Sequence, residues 1–184
     1  MSLAIVKFIG KIENNDNFHI SRILILLKHL GGKNNKELDG ITKLVKLDFL
    51  LRYPKCLEKV AKELNFDLIE SALNKNELQN IESKMIRYKY GPWDSRYRRW
   101  IGILVAKDLV KTYARGRTVY LRLTEIGLNI SEKLIKTNVF NPLCFRSDLI
   151  SRMVGKYSGT KLKNLIYQLF PEIVGLKFGK EITL

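Results

Sequence analysis

The sequence is poor in the residues that usually carry chemistry. It holds only two histidines and two cysteines in 184 residues. His19 and His29 have no carboxylate or cysteine spaced with them, so solvent-facing or satisfied side chains are expected rather than ligands. Cys56 and Cys144 lie far apart, and nothing around them outlines a disulfide framework or a metal site. Acids are scarce as well, 18 Asp and Glu against 33 Lys and Arg, which gives a net charge of +15. No paired carboxylates or Ser-His-Asp set stands out, and Asp48, Glu58, Glu63, Asp67 and Glu70 fit an ordinary helix surface. No apolar run approaches the roughly 18 residues that span a bilayer, and no signal-peptide pattern is present. The phrase GKYSGTK over residues 155–161 has three residues between its glycines and Thr before Lys. A phosphate loop needs four, with Ser or Thr after the Lys, and GGKNNK fails in the same way. The expectation is a cytoplasmic protein with no catalytic residues, no metal and no cofactor.

What is present is charge and apolar periodicity. With 46% hydrophobic residues the chain is long enough for one domain with extensions, and its positive charge implies an anionic partner. The most basic part is residues 85–124, MIRYKYGPWDSRYRRWIGILVAKDLVKTYARGRTVYLRLT. Its cations face only Asp94 and Asp108 among acids within the stretch. It reads as a strand or turn, a short helix, then a tight hairpin. A turn at Arg115-Gly116 would pair Ala114 with Arg117, Thr112 with Val119 and Val110 with Leu121. Alternation then puts Val110, Thr112, Val119, Leu121 and Leu123 on one face, and Lys111, Tyr113, Thr118, Tyr120 and Arg122 on the other. The second face mixes cations with tyrosines and resists burial.

In the helix before the hairpin, Asp94 or Ser95 can cap after a break at Gly91-Pro92, and Tyr97, Ile101 and Leu104 make a core stripe. Arg96, Arg98 and Arg99 crowd its first turn, where the helix dipole disfavours cations unless an anion is bound. Its outer positions, Gly102, Val105 and Ala106, carry nothing that reads base edges. The candidate DNA-contacting residues are therefore Arg96, Arg98, Arg99, Lys111, Arg115, Arg117 and Arg122.

The rest of the chain supplies helices. An N-terminal strand or arm precedes the helix FHISRILILLKHLGG, whose stripe is Ile20, Ile23, Leu24, Leu27 and Leu30. Asp39 can cap GITKLVKLDFLLRY, and Pro54 suits the first turn of PKCLEKVAKEL. Residues 65–83 read as a helix-and-loop insertion. After the hairpin, Thr124 caps LTEIGLNISEKLIKT. Asn141-Pro142 breaks the chain, and Ser147 caps SDLISRMV. SGTKLKNLIYQLF then runs to Pro171 with Leu162, Leu165, Ile166, Leu169 and Phe170 as a wide apolar stripe that docks on the body or a partner. The fold class expected is mainly α with a small β wing. It is a winged helix-turn-helix domain over 1–140, with a C-terminal helical extension over 141–184.

KLVKLDFLLRYPKCL, ESKMIRYKYGPWDSRYRRWIGILVAKDLV and SGTKLKNLIYQLFPEI together resemble the middle component of ABC three-component bacterial defence systems, the Lamassu antiphage systems among them. The RYKYGPWD…RY phrase is the most specific part, and the resemblance covers roughly residues 20–173. It implies a non-catalytic winged-helix adaptor between an SMC-like or Rad50-like ATPase and an effector such as a nuclease, while the basic hairpin and helix start themselves lead to the expectation of weak, sequence-tolerant contact with duplex DNA. Tyr88, Trp93 and Tyr97 would then be partner-interface residues. The alternative is a free-standing dimeric winged-helix transcription regulator, which normally reads a palindrome as a symmetric dimer.

Overall fold

The computed structural model describes residues 15–66, 85–88 and 91–182. The expected N-terminal arm, all but the start of the insertion, and Lys89 and Tyr90 lie outside the described residues. The protein is mainly helical with a small antiparallel sheet. In chain order it runs α1 (Asp16–Gly31), β1 (Leu38–Asp39), α2 (Ile41–Arg52), α3 (Pro54–Glu63), β2 (Ile86–Tyr88) and β3 (Gly91–Trp93). Then follow α4 (Tyr97–Ala106), β4 (Val110–Arg115), β5 (Thr118–Leu123), α5 (Glu125–Ile135), a 3-10 turn (Asn138–Phe140), α6 (Asn141–Val154), α7 (Gly159–Leu169) and α8 (Pro171–Gly175).

Helix α1 forms the middle of the body. Asn15 caps it by accepting from Asn17 N–H, and Gly32 ends it. Residues 22–27 are buried without a break, more than the one-sided stripe predicted. The reason is that α1 is surrounded by α4, α5, α6 and β5. Helix α2 is likewise buried from Lys43 to Arg52, against α3, α6, α7 and β3. One apolar core runs through both parts of the chain, from Ile23 and Leu47 to Leu149, Ile166 and Ile173. The stripe of α7 packs as read at Leu162, Ile166, Leu169 and Phe170, while Leu165 is only partly buried.

Four local expectations are corrected. Asp39 does not cap α2. Leu38 is buried opposite Leu121, which draws Leu38 and Asp39 into the sheet as an edge strand and leaves Gly40 at the cap position. The sheet order is therefore β1-β5-β4. Gly91-Pro92 is not a break but β3, paired with β2 through Arg87 opposite Pro92. The C-terminal segment joins this pair, with Ile182 N–H donating to Met85 C=O and Arg87 N–H to Lys180 C=O, both at 2.8 Å. Ser147 does not start a helix, because α6 already begins at Asn141 with Pro142 in its first turn, and Ser147 is buried inside it.

The fourth correction is the hairpin register. Arg115 pairs with Thr118, Tyr113 with Tyr120 and Val110 with Leu123, so the turn residues are Gly116 and Arg117. Gly116 has φ +58° while Arg117 stays outside the left-handed region. A two-residue turn with glycine first is the form that matches strand twist with one positive φ. Each residue moves opposite a partner two places along, which preserves the faces expected from the sequence. Where the hairpin ends, Thr124 caps α5 by accepting from Gly127 N–H at 2.9 Å. A side chain on Gly127 would put its Cβ 1.9 Å from the Leu109 carbonyl oxygen, so helix and sheet touch through this glycine.

The body also holds a buried polar network that contradicts the surface placement of Asp48. Asp48 is fully buried and takes both branches of a bidentate contact from Arg22, Nε at 2.8 Å and Nη2 at 3.0 Å. Tyr97 donates its hydroxyl proton to the same carboxylate. Arg22 Nη1 lies 2.7 Å from His19 Nδ1. A guanidinium can only donate, so His19 accepts at Nδ1. Burial, then the Asp48 charge, push the Tyr97 phenol well above its ordinary pKa and keep it a donor. Removing Asp48 strands a buried guanidinium. Asp48→Ala is expected to lose about 3–5 kcal/mol in urea denaturation, against under about 0.5 kcal/mol for Glu58→Ala on the outside of α3. Equal small losses would show that the network does not hold the body together.

Candidate functional site

The cations singled out from the sequence divide into held and unheld ones. Arg96 is held: its Nη2 is 2.8 Å and its Nε 3.0 Å from the Asp94 carboxylate, and its guanidinium lies 4.9 Å from the Trp100 ring centroid. Asp94 also takes Arg52 Nη1 at 3.1 Å. Burial raises the Asp94 pKa, but the Arg96 hydrogen bonds and the Arg52 charge outweigh it and bring the carboxyl down to about 2. Arg99 pairs with Asp16, which also accepts from the Trp100 indole N–H at 2.9 Å. Arg115 pairs with Glu37 at 2.7 Å and lies 4.9 and 5.0 Å from the ring centroids of Tyr113 and Tyr120. Asp16 and Glu37 are distant in sequence from the arginines they neutralise, which is why the basic stretch looked bare.

Arg98, Lys111, Arg117 and Arg122 remain exposed, and none contacts a carboxylate among the described residues. Lys111 and Arg122 face each other directly across β4 and β5. Like charges in that position repel, so an anion over the pair relieves a cost that the protein alone leaves in place. Next along the same face, Tyr113 and Tyr120 stack at 5.7 Å with planes 7° apart, and the Arg115 guanidinium covers both. The face is thus a ladder of cation pair, ring pair and arginine, flat and outward.

The residues expected at a partner interface are not gathered on one surface. Tyr97 is fully buried and bonded to Asp48, so its ring is core and is not offered to a partner. Trp93 is half-buried, tilted against Tyr97 at 5.9 Å between centroids. Tyr88 ends β2.

A second cationic feature was missed in the sequence. A cavity of about 620 Å³ opens between the start of α2, the start of α7 and the β1–β5 edge of the sheet. Lys43, Lys46, Arg117 and Lys163 line it, with Asp39, Gly40, Thr118 and Tyr120. Lys43 is paired with Asp39 at 2.5 Å. Lys46 is only 2% exposed, and its ammonium has a 3.4 Å contact with the Thr42 carbonyl but no carboxylate among the described residues. The two lysines lie inside the apolar phrase KLVKLDFLLR, where a charge at a buried helical position was the available signal. Lys163, more than 100 residues on, gave none. Tyr120 belongs both to the ladder and to the cavity wall, so the two cationic surfaces meet at its ring.

No group of three or more histidine, cysteine or acidic side chains able to hold a metal occurs among the described residues. Burial pushes the Cys56 thiol up to about 12, the opposite of what a nucleophile needs. No helix among the described residues is long and apolar enough to cross a membrane. No family model matches the chain, and no curated protein or solved structure matches it.

Burial, reinforced by the Lys163 charge, lowers the Lys46 pKa from 10.5 to about 8. The folded form therefore carries the full cost of a buried ammonium below about pH 8, and that cost falls as pH rises from about 8 to 10.5. NMR titration of the Lys46 side chain should give a midpoint near 8. A midpoint near 10.5 would mean that the ammonium is solvated.

Proposed function

We propose that the chain is a non-catalytic winged-helix adaptor that contacts the phosphate backbone of duplex DNA with little regard for sequence. The observation that carries the DNA contact is the Lys111–Arg122 pair, opposed on an exposed sheet face with no carboxylate between them among the described residues. Salt-dependent phosphate contact is what such a pair offers. The winged-helix reading is supported by the order of helix, edge strand, three helices and hairpin, with β1 added beside β5. The two-stranded β2–β3 pair is an insertion within that order.

The exposed positions of α4 past its first turn are Gly102, Val105 and Ala106. None carries a side chain that can donate to or accept from a base edge, so direct readout past the first turn is absent. That favours an adaptor over a regulator of defined operators. The RYKYGPWD phrase supports placement in a bacterial antiphage defence complex, between an SMC-like ATPase and an effector. Of the expected interface rings, Trp93 remains a partly exposed candidate, whereas Tyr97→Ala would test folding through Asp48.

Each neutralised phosphate contributes about 0.9 to the slope of log affinity against log salt concentration. Lys111→Ala with Arg122→Ala should therefore lower the slope for a random duplex by about 2, leaving the fold intact by melting. An unchanged slope would exclude the hairpin face as a phosphate contact. Sedimentation of the protein alone should show a monomer, and tight dimerisation with preference for one palindrome would favour the regulator.

A further inference from the structure

We propose that the cavity between the starts of α2 and α7 is a built phosphoryl-binding site, separate from the exposed sheet face. Its cations are Lys43 and Lys46 from α2, Arg117 from the hairpin tip and Lys163 from the first turns of α7. Asp39, the only carboxylate in the lining among the described residues, is already engaged by Lys43 at 2.5 Å. Four cations against one carboxylate leave the cavity walls strongly positive.

The second observation is Lys46 itself. Its side chain is buried, lines the cavity and has no carboxylate partner among the described residues. A buried ammonium without a counter-charge is costly, and an anion entering the cavity removes that cost. Backbone geometry points the same way. Helix α2 starts at Gly40, which has no side-chain acceptor for the first-turn amides, and Gly40 lies on the cavity wall. Helix α7 brings Gly159 and Thr160 of its first turn to the same wall, with Ser158 capping the Lys161 N–H at 3.1 Å. Two helix N-termini converging on lysines suit a phosphoryl group, whose several oxygens accept from amides and ammoniums together. A lone carboxylate offers fewer acceptors. At about 620 Å³ the cavity has room for more than one phosphoryl group.

The chemistry has two possible sources, a phosphate of a nucleic-acid strand reaching in past Tyr120 or the free phosphates of a small molecule. This inference rests on the cavity residues and does not require the hairpin contact. The probe is inorganic pyrophosphate, titrated into the full chain by calorimetry at low salt and pH 7. Saturable binding is expected, weakened at least about tenfold by Lys46→Met and by Lys163→Gln, the loss of one charge-assisted contact, and unchanged by Lys111→Gln on the sheet face. Met keeps the apolar stem of Lys46, and melting checks each variant. Lys163 is half-buried at a helix start, so Lys163→Gln decides the matter alone if Lys46→Met fails to fold. The Lys46 NMR midpoint should also rise with pyrophosphate, with Asp39, Lys43, Arg117 and Lys163 as the charged groups lining the same cavity.

A duplex-DNA titration of the same variants separates the sources. If Lys163→Gln lowers the salt slope by about 0.9 and pyrophosphate displaces the duplex, the strand supplies the phosphoryl group. If pyrophosphate binding falls while the DNA slope is unchanged, a small molecule supplies it. Failure of the folded wild type to bind pyrophosphate overturns the site, as does binding that survives Lys46→Met combined with Lys163→Gln. Loss of hairpin DNA contact alone does neither.

Discussion

Asp48 is fully buried, and both of its carboxylate oxygens are satisfied by Arg22 and Tyr97. With Asp48 on α2, Arg22 on α1 and Tyr97 on α4, the three groups tie together three different helices. The apolar side chains around them bring the helices together without direction, whereas a bidentate guanidinium and a phenol hydroxyl fix their relative rotation. His19 and Trp100 continue the network outward, their rings 4.5 Å apart. A turn further along α2, Arg52 and Asp94 repeat the arrangement with the segment leading into α4.

The position of α4 then settles the hairpin. Leu109 N–H donates to the Leu104 carbonyl at 2.8 Å, so the end of the helix turns directly into β4. At the far end of the hairpin, Thr124 N–H donates to the Leu109 carbonyl at 3.1 Å, and Gly127 lets α5 lie against the same residue. The outward face with Lys111, Arg122 and the stacked tyrosines is held between these two junctions. Its Lys111 and Arg122 have no carboxylate beside them among the described residues, and such fixed positive charge attracts phosphate. The β1 edge closes the frame on the other side and brings the start of α2, with its lysines, beside Tyr120.

Local pattern was legible where one periodicity had no competitor. Both faces of the hairpin, the Tyr97-Ile101-Leu104 stripe and the Thr124 cap follow from alternation, helical spacing and side-chain chemistry at a helix start. The register was not legible, because Arg115-Gly116 and Gly116-Arg117 are both chemically plausible turns that preserve the same faces. Asp39 was misread since a cap and a short edge strand look alike until Leu121 arrives from later in the chain. Asp48 was misplaced for a related reason. A polar group at a buried helical position reads as surface until its partner is found.

The sequence by itself determined the helical content, the apolar stripes, the exposed cationic hairpin and the charge that calls for an anion, because each depends on neighbours a few residues apart. Only the tertiary structure decided which cations contact no carboxylate among the described residues. Asp16 reaches Arg99 and Glu37 reaches Arg115 across long separations, which no local spacing encodes. The same holds for the lysine-lined cavity, where two helix starts and a hairpin tip converge. Charge neutralisation acts through space over a few ångströms, and chain order carries no record of that distance.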